Sequence, residues 1–137
     1  MKKNYILSLL VILCLLVFSG CENNGNTKLK EGVDYKIIDN YSKGCGKERG
    51  YFIDKSNGPY YYIICMGEQY TGGYSLKVKK VNLVDNNTEV TVEEIAPKEG
   101  EMVTMALTSP KITIEFPKYQ ENIIIKNTKG ELFNILD

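Results

Sequence analysis

The chain has 137 residues, with 17 basic against 17 acidic side chains and no histidine. Without histidine it lacks the commonest general base and metal ligand, so no Ser-His-Asp or Cys-His constellation can form, and zinc would be left with Cys45, Cys65 and carboxylates. There is no basic surplus for nucleic acid and neither a P-loop nor a GxGxxG stretch, so no catalytic residue, metal or cofactor is expected.

The first element in chain order is an export signal. Met1-Lys2-Lys3-Asn4 is a short cationic start, Tyr5 to Phe18 is apolar apart from Ser8, and Ser19-Gly20-Cys21 supplies the small residues of a cleavage site. The apolar run is shorter than the roughly 20 residues a membrane-spanning helix needs. Val17-Phe18-Ser19-Gly20-Cys21 resembles the lipobox of bacterial lipoproteins, with Phe18 where leucine is usual. That resemblance implies cleavage after residue 20, a diacylglycerol (and palmitate) anchor on Cys21, and a location on the outer face of the cell membrane. Glu22 to Lys28 holds no apolar residue and is loosened by Gly25 and the asparagines around it, so residues 21–32 read as a tether between lipid and domain.

Residues 33–137 then form one domain. Loss of Lys2 and Lys3 leaves 15 basic side chains against 17 acidic. Cys14 falls in the signal and Cys21 is the lipid site, so Cys45 and Cys65 remain, in a compartment that permits disulfides. A bridge between them is one reading; two separate thiols, with Cys65 a core residue, is the other.

From Tyr35 onward, β-branched and aromatic residues cluster in short runs between Gly, Asn, Asp and Pro. Tyr35-Ile38 is a weak first strand. Gly50-Asp54 is a second, followed by the hairpin signal Ser56-Asn57-Gly58. Tyr60-Met66 is apolar almost throughout, as a strand covered on both faces would be. Tyr74-Val81 and Glu89-Ile95 alternate apolar and polar residues around Asp85-Asn86-Asn87, which predicts a hairpin. Lys111-Phe116, Asn122-Lys126 and Glu131-Ile135 are three more strands, the last two joined by Asn127-Thr128-Lys129-Gly130. Glu101 to Leu107 fits either a helical turn or a crossover. The whole predicts an all-β domain, a small antiparallel β-sandwich or open barrel. Its expected core is Ile63, Leu76, Val78, Val81, Val90, Val92, Ile112, Ile114, Ile123 and Ile125. Glu93-Glu94 lie on opposite faces of a strand, so they read as solvated charges.

The most distinctive stretch is Tyr70-Thr71-Gly72-Gly73-Tyr74, with two glycines just before an alternating strand. A bulged corner between strands explains it without any function; an exposed binding corner is the sharper alternative. Met66-Gly67, Thr71-Gly72-Gly73-Tyr74, the strand Leu76 to Val81, Glu94-Ile95-Ala96-Pro97 with Gly100, and Thr108-Ser109-Pro110 occur in the order seen in the C-terminal domain family of the protease-complex subunit PrcB. The resemblance covers about residues 63–116, with Ser109 where an aromatic residue is usual. It implies a non-enzymatic protein-binding domain that works beside an envelope or surface protein such as a protease, and it brings no catalytic residues. A fainter resemblance, carried by Thr71, Gly73 and Tyr74, is to chagasin-type cysteine protease inhibitors on an immunoglobulin-like sandwich. There Leu76 stands where a tryptophan is usual. Tyr74 and Tyr70 are the candidate anchors of such a corner.

Overall fold

The computed structural model describes residues 32–55 and 58–137. The export signal, Cys21 and nearly all of the tether lie outside the described residues, as do Ser56 and Asn57 of the expected hairpin signal. Among the described residues seven strands form, β1 (Lys36–Ile38), β2 (Gly50–Asp54), β3 (Tyr60–Cys65), β4 (Ser75–Val84), β5 (Asn87–Ile95), β6 (Lys111–Phe116) and β7 (Ile123–Asn127). They build two sheets, of order β1-β6-β3-β2 and β4-β5-β7, and no helix occurs among the described residues. The domain is all-β, as its alternating runs predict.

The hairpin β4–β5 shows how sequence sets register. Val84 pairs with Asn87, and the two residues between them, Asp85 and Asn86, both have positive φ, 49° and 67°. Two left-handed residues in a two-residue loop match the right-handed twist of the flanking strands, and Asp and Asn tolerate that conformation best after glycine. The Lys79-Lys80 pair that interrupts the alternation marks a bulge: the register shifts between Val78 and Lys80. The extra residue lets Val78 and Val81, three apart, both turn inward.

β3 is covered on both faces. Tyr62 and Ile64 face the core between the sheets, with Phe116, Ile114, Val90, Val92, Ile125, Tyr51 and Phe133. Ile63 is as fully buried but lies on the opposite face, so it belongs to a second, thinner layer outside that core. The cover is the 39–49 segment. Cys45 is bonded to Cys65 with Cα atoms 5.7 Å apart, the Tyr41 ring lies 4.6 Å from that of Tyr61, and the Lys43 ammonium sits 5.1 Å from the Phe52 ring centre. The Lys111 ammonium donates to the carbonyls of Tyr41 (2.7 Å) and Lys43.

Two expectations need correction. β5 and β7 pair in parallel, Thr88 with Ile123 through Val92 with Asn127, so the domain is not wholly antiparallel. The chain leaves β6 at the end of the domain where β5 also begins, and the short 117–122 crossover starts β7 in the same direction. Glu131-Ile135 also forms no strand of either sheet. After the Asn127–Gly130 turn it makes single bridges, Leu132 to Lys126 of β7 and Ile135 to Tyr51 of β2. The Phe133 amide donates to Ile125 O at 2.8 Å, Tyr51 N to Asn134 O at 2.8 Å, and Leu136 N to Tyr51 O at 2.7 Å. The tail is thus a strap that joins the two sheets along one side, and the architecture is a small β-sandwich or open barrel, not a closed barrel.

Candidate functional site

The glycine-rich corner follows β3 directly and is clasped by the long β5–β6 crossover, 96–110. Gln69 and Thr108 form a two-way backbone bridge, with N–H to O distances of 2.8 and 2.9 Å. The Thr108 hydroxyl donates to Thr71 O at 2.8 Å, and Gly72 N donates to Thr104 O at 2.9 Å. Both glycines are needed for this clasp. A side chain at Gly72 would collide with the Thr104 hydroxyl. Gly73 has φ of +85°, and a Cβ there would stand 2.9 Å from both Pro97 and Val103 carbons.

The clasp sorts the corner's side chains. Tyr74 is half-buried and packs against the core, while Val103 turns in toward Gly73. Tyr70 is 82% exposed. The Gln69–Thr108 bridge sets Tyr70 beside Leu107, which is 61% exposed, and the same crossover carries Met105 (87%) and Met102 (98%) in the open. These four are exposed apolar side chains of the corner and of the crossover that clasps it, together termed the apolar ridge. Sequence reading named Tyr70 and Tyr74 together and left 101–107 undecided. It missed the methionines because no periodicity marks which way a loop residue points.

A second feature lies at Arg49, also missed. Its Nε and Nη2 donate to Glu94 carboxylate oxygens (3.0 and 3.3 Å), Nη1 donates to Leu132 O (2.7 Å), and the guanidinium stacks 3.7 Å from the Phe133 ring centre. Asn127 completes the group. Its Nδ2 donates to Glu94 and Glu131 carboxylates, both at 2.6 Å, and its Oδ1 accepts from the Lys129 and Glu131 amides. Burial would raise the Glu94 pKa, but hydrogen bonds from Arg49 and Asn127 and the nearby positive charges outweigh it and hold the carboxyl below its ordinary 4.5. So Glu94 is not a freely solvated charge; it ties β5 to β7, the tail and the approach to β2. Among the described residues no buried side-chain polar atom lacks a partner, as expected of a structural tie. Glu93, on the other face, pairs at the surface with Lys79 at 3.3 Å.

An open groove of about 1010 Å³ runs between the 43–48 loop and the tail, lined in part by Lys43, Lys47, Phe52, Lys55 and Tyr119. Two of its three lysines are engaged: Lys43 reaches Asp54 at 3.7 Å, and Lys55 lies 4.4 Å over the Tyr119 ring.

Residues 60–117 match the family described as PrcB C-terminal. The match takes in β3, the glycine corner, β4, β5, the crossover and β6, and so contains the whole apolar ridge and none of the groove's lining. The resemblance read from Met66-Gly67 to Thr108-Ser109-Pro110 is therefore shown. No curated protein and no solved structure matches the chain. The domain family is of a non-catalytic, accessory type.

Proposed function

We propose that this chain is an extracytoplasmic lipoprotein, anchored through diacylglycerol on Cys21, whose β domain binds another envelope or surface protein and serves as an accessory subunit of a protease complex. It is not an enzyme. The observation that carries the reading is the ridge of Tyr70, Met102, Met105 and Leu107, held open by a clasp that lies wholly inside the family-matched segment. Contiguous exposed apolar groups on a small domain mark contact surfaces, and tyrosine is enriched at their centres. An anchor concentrates the domain at the membrane, where a modest contact suffices. The absence of histidine and of a nucleophile motif fits a binding role. The inhibitor alternative draws no support from the corner, since Tyr74, the tyrosine it would present, packs against the core.

Labelled fatty acid should enter the wild type and not Cys21→Ala. Photocrosslinking in intact cells from a probe at Met105 should trap one envelope protein, and Tyr70→Ala should weaken the adduct. If the captured protein is a protease, loss of the lipoprotein should shorten its lifetime and leave its turnover intact. Incorporation of label into both chains, or an adduct with bulk membrane protein alone, refutes the proposal.

A further inference from the structure

The ridge and the attachment point lie at opposite ends of the domain. β3 runs from Tyr60, paired with Phe116, to Cys65, paired with Lys111, and the glycine corner follows at that second end. The crossover delivers β6 there too. β1 begins at the other end, with Lys36 opposite Glu115. Just before it the Tyr35 ring lies 6.4 Å from Phe116, and Val33 and Tyr35 pack against the core, so the chain is fixed to that end from Val33 onward. The 117–122 crossover shares this pole with the start of β5, where Thr88 N donates to Asn122 O at 2.7 Å.

We infer that in the anchored protein the ridge points away from the bilayer and meets the water-exposed surface of a second protein, an apolar patch bordered by basic side chains, and does not insert into lipid. This rests on lipidation of Cys21 and on the ridge as the contact surface. Length supports it. The segment from Cys21 to Val33 spans 12 residues, which cannot reach beyond about 40 Å even fully extended. β4 alone, ten residues long, extends about 30 Å, and the ridge lies past its first residue. An inverted domain would consume nearly the whole reach of the tether, whereas an upright one needs almost none.

Charge supports it independently. The charged side chains of the corner, the crossover and the 46–49 stretch bonded to them are Glu48, Glu68, Glu99 and Glu101 against Lys47 and Lys98, with Arg49 paired to Glu94. Apolar segments that enter the membrane interface are bordered by Lys and Arg, which anionic lipid attracts. An acidic border is repelled there and complements a basic protein surface.

The test uses the purified, lipidated full chain in vesicles of phosphatidylcholine and phosphatidylglycerol that carry an acceptor dye on a headgroup. A fluorescent noncanonical amino acid is placed at Met102 on the ridge or at Glu121 on the opposite crossover, both exposed. Energy transfer to the membrane is expected to be clearly higher from position 121. Equal transfer, or higher transfer from 102, overturns the orientation. In a second arm, a photocrosslinker at 102 is expected to yield protein adducts in cells and no lipid adduct in vesicles; a lipid adduct overturns the choice of partner. Wild-type protein that stays in the aqueous phase while behaving like Cys21→Ala would instead defeat the anchor itself, a failure distinct from a bound domain with the wrong pole outward.

Discussion

The domain contains two long irregular segments, and they behave in opposite ways. The 39–49 segment lies flat over the outer face of β2, β3 and β6, fastened by the Cys45–Cys65 bond, ring contacts and the Lys111 ammonium, and it buries Ile63 completely. The 96–110 crossover is fastened at the glycine corner and, at its far end, by Ser109 to Gly46 O and by Pro110 O to Met66 N, and it turns Met102, Met105 and Leu107 outward. Both are rich in residues that avoid regular structure, so propensity does not separate them. What separates them is where their apolar side chains go. The segment that covers a sheet hides its apolar groups; the clasped crossover leaves its own in water, where the proposed partner would meet them.

The largest expected effect comes from unfastening the cover. Replacing both Cys45 and Cys65 by alanine opens a loop of sequence separation 20 and should cost about 3 kcal/mol in the chain-entropy account. Urea denaturation monitored by circular dichroism measures it. A midpoint unchanged from wild type would mean that the ring contacts and Lys111 hold the segment by themselves. The 96–110 crossover touches this segment through the Ser109–Gly46 bond, while its clasp on the glycine corner does not involve it, so capture of a partner through the ridge should persist wherever the double variant is folded.

The next effect lies at the tie between the sheets. Glu94→Gln leaves Arg49 and Asn127 with a weaker acceptor, and a loss of about 1–3 kcal/mol is expected at neutral pH. Its pH dependence distinguishes it from the disulfide. Because the folded-state carboxyl is held below its ordinary 4.5, its contribution is present above that value and is lost as the pH falls from there through the folded-state pKa. Wild type should therefore lose stability on acidification below about pH 4.5 more steeply than Glu94→Gln. Parallel melting-temperature profiles for the two would show that Glu94 is screened and idle.

Gly73→Ala sharpens the comparison from the other side. It forces an L side chain into φ of +85° against Pro97 and Val103, and a destabilisation of about 1–2 kcal/mol is expected. The same change at Gly44 or Gly46, in the covering segment, meets nothing within 4 Å and should be nearly neutral. Equal melting temperatures for Gly73→Ala and Gly44→Ala would mean that the clasp yields without cost.

Which parts of this were legible beforehand follows from how local each feature is. β2, β4, β5 and β6 could be read because alternation and turn residues act within a few positions; the bulge at the Lys79-Lys80 break shows only in the strand register. The parallel β5–β7 pair could not, since it depends on the pole at which the chain re-enters the second sheet. Nor could the tail strap, whose hydrogen-bond partners come from β2 and β7 at once. Arg49 is invisible as a sequence feature because its carboxylate lies 45 residues away. At the corner, the paired glycines drew attention to the right place, but two tyrosines four residues apart look alike on paper. Only the Gln69–Thr108 bridge separates exposed Tyr70 from half-buried Tyr74.

The smallest effect on stability should accompany the largest effect on binding. Tyr70→Ala with Met105→Ala removes two side chains that stand mostly in water, so the folded state loses little: within about 0.5 kcal/mol of wild type, as for surface positions at large. If the ridge is the contact surface, the same double variant should fail to capture the envelope partner, since truncation of a central aromatic residue commonly costs 2 kcal/mol or more of binding, roughly a thirtyfold loss. Tyr74→Phe serves as the counterpart: it keeps the ring that packs against the core and removes only the hydroxyl, and capture should be retained. The two measurements must separate. A variant that melts early and binds poorly would show that Tyr70 and Met105 support the clasp, and one that melts normally and binds normally would place the contact elsewhere. The groove beside Lys47 and Lys55 would then be the next surface to alter. Normal melting with lost capture is the outcome that makes the crossover a recognition element and leaves the 39–49 segment as cover.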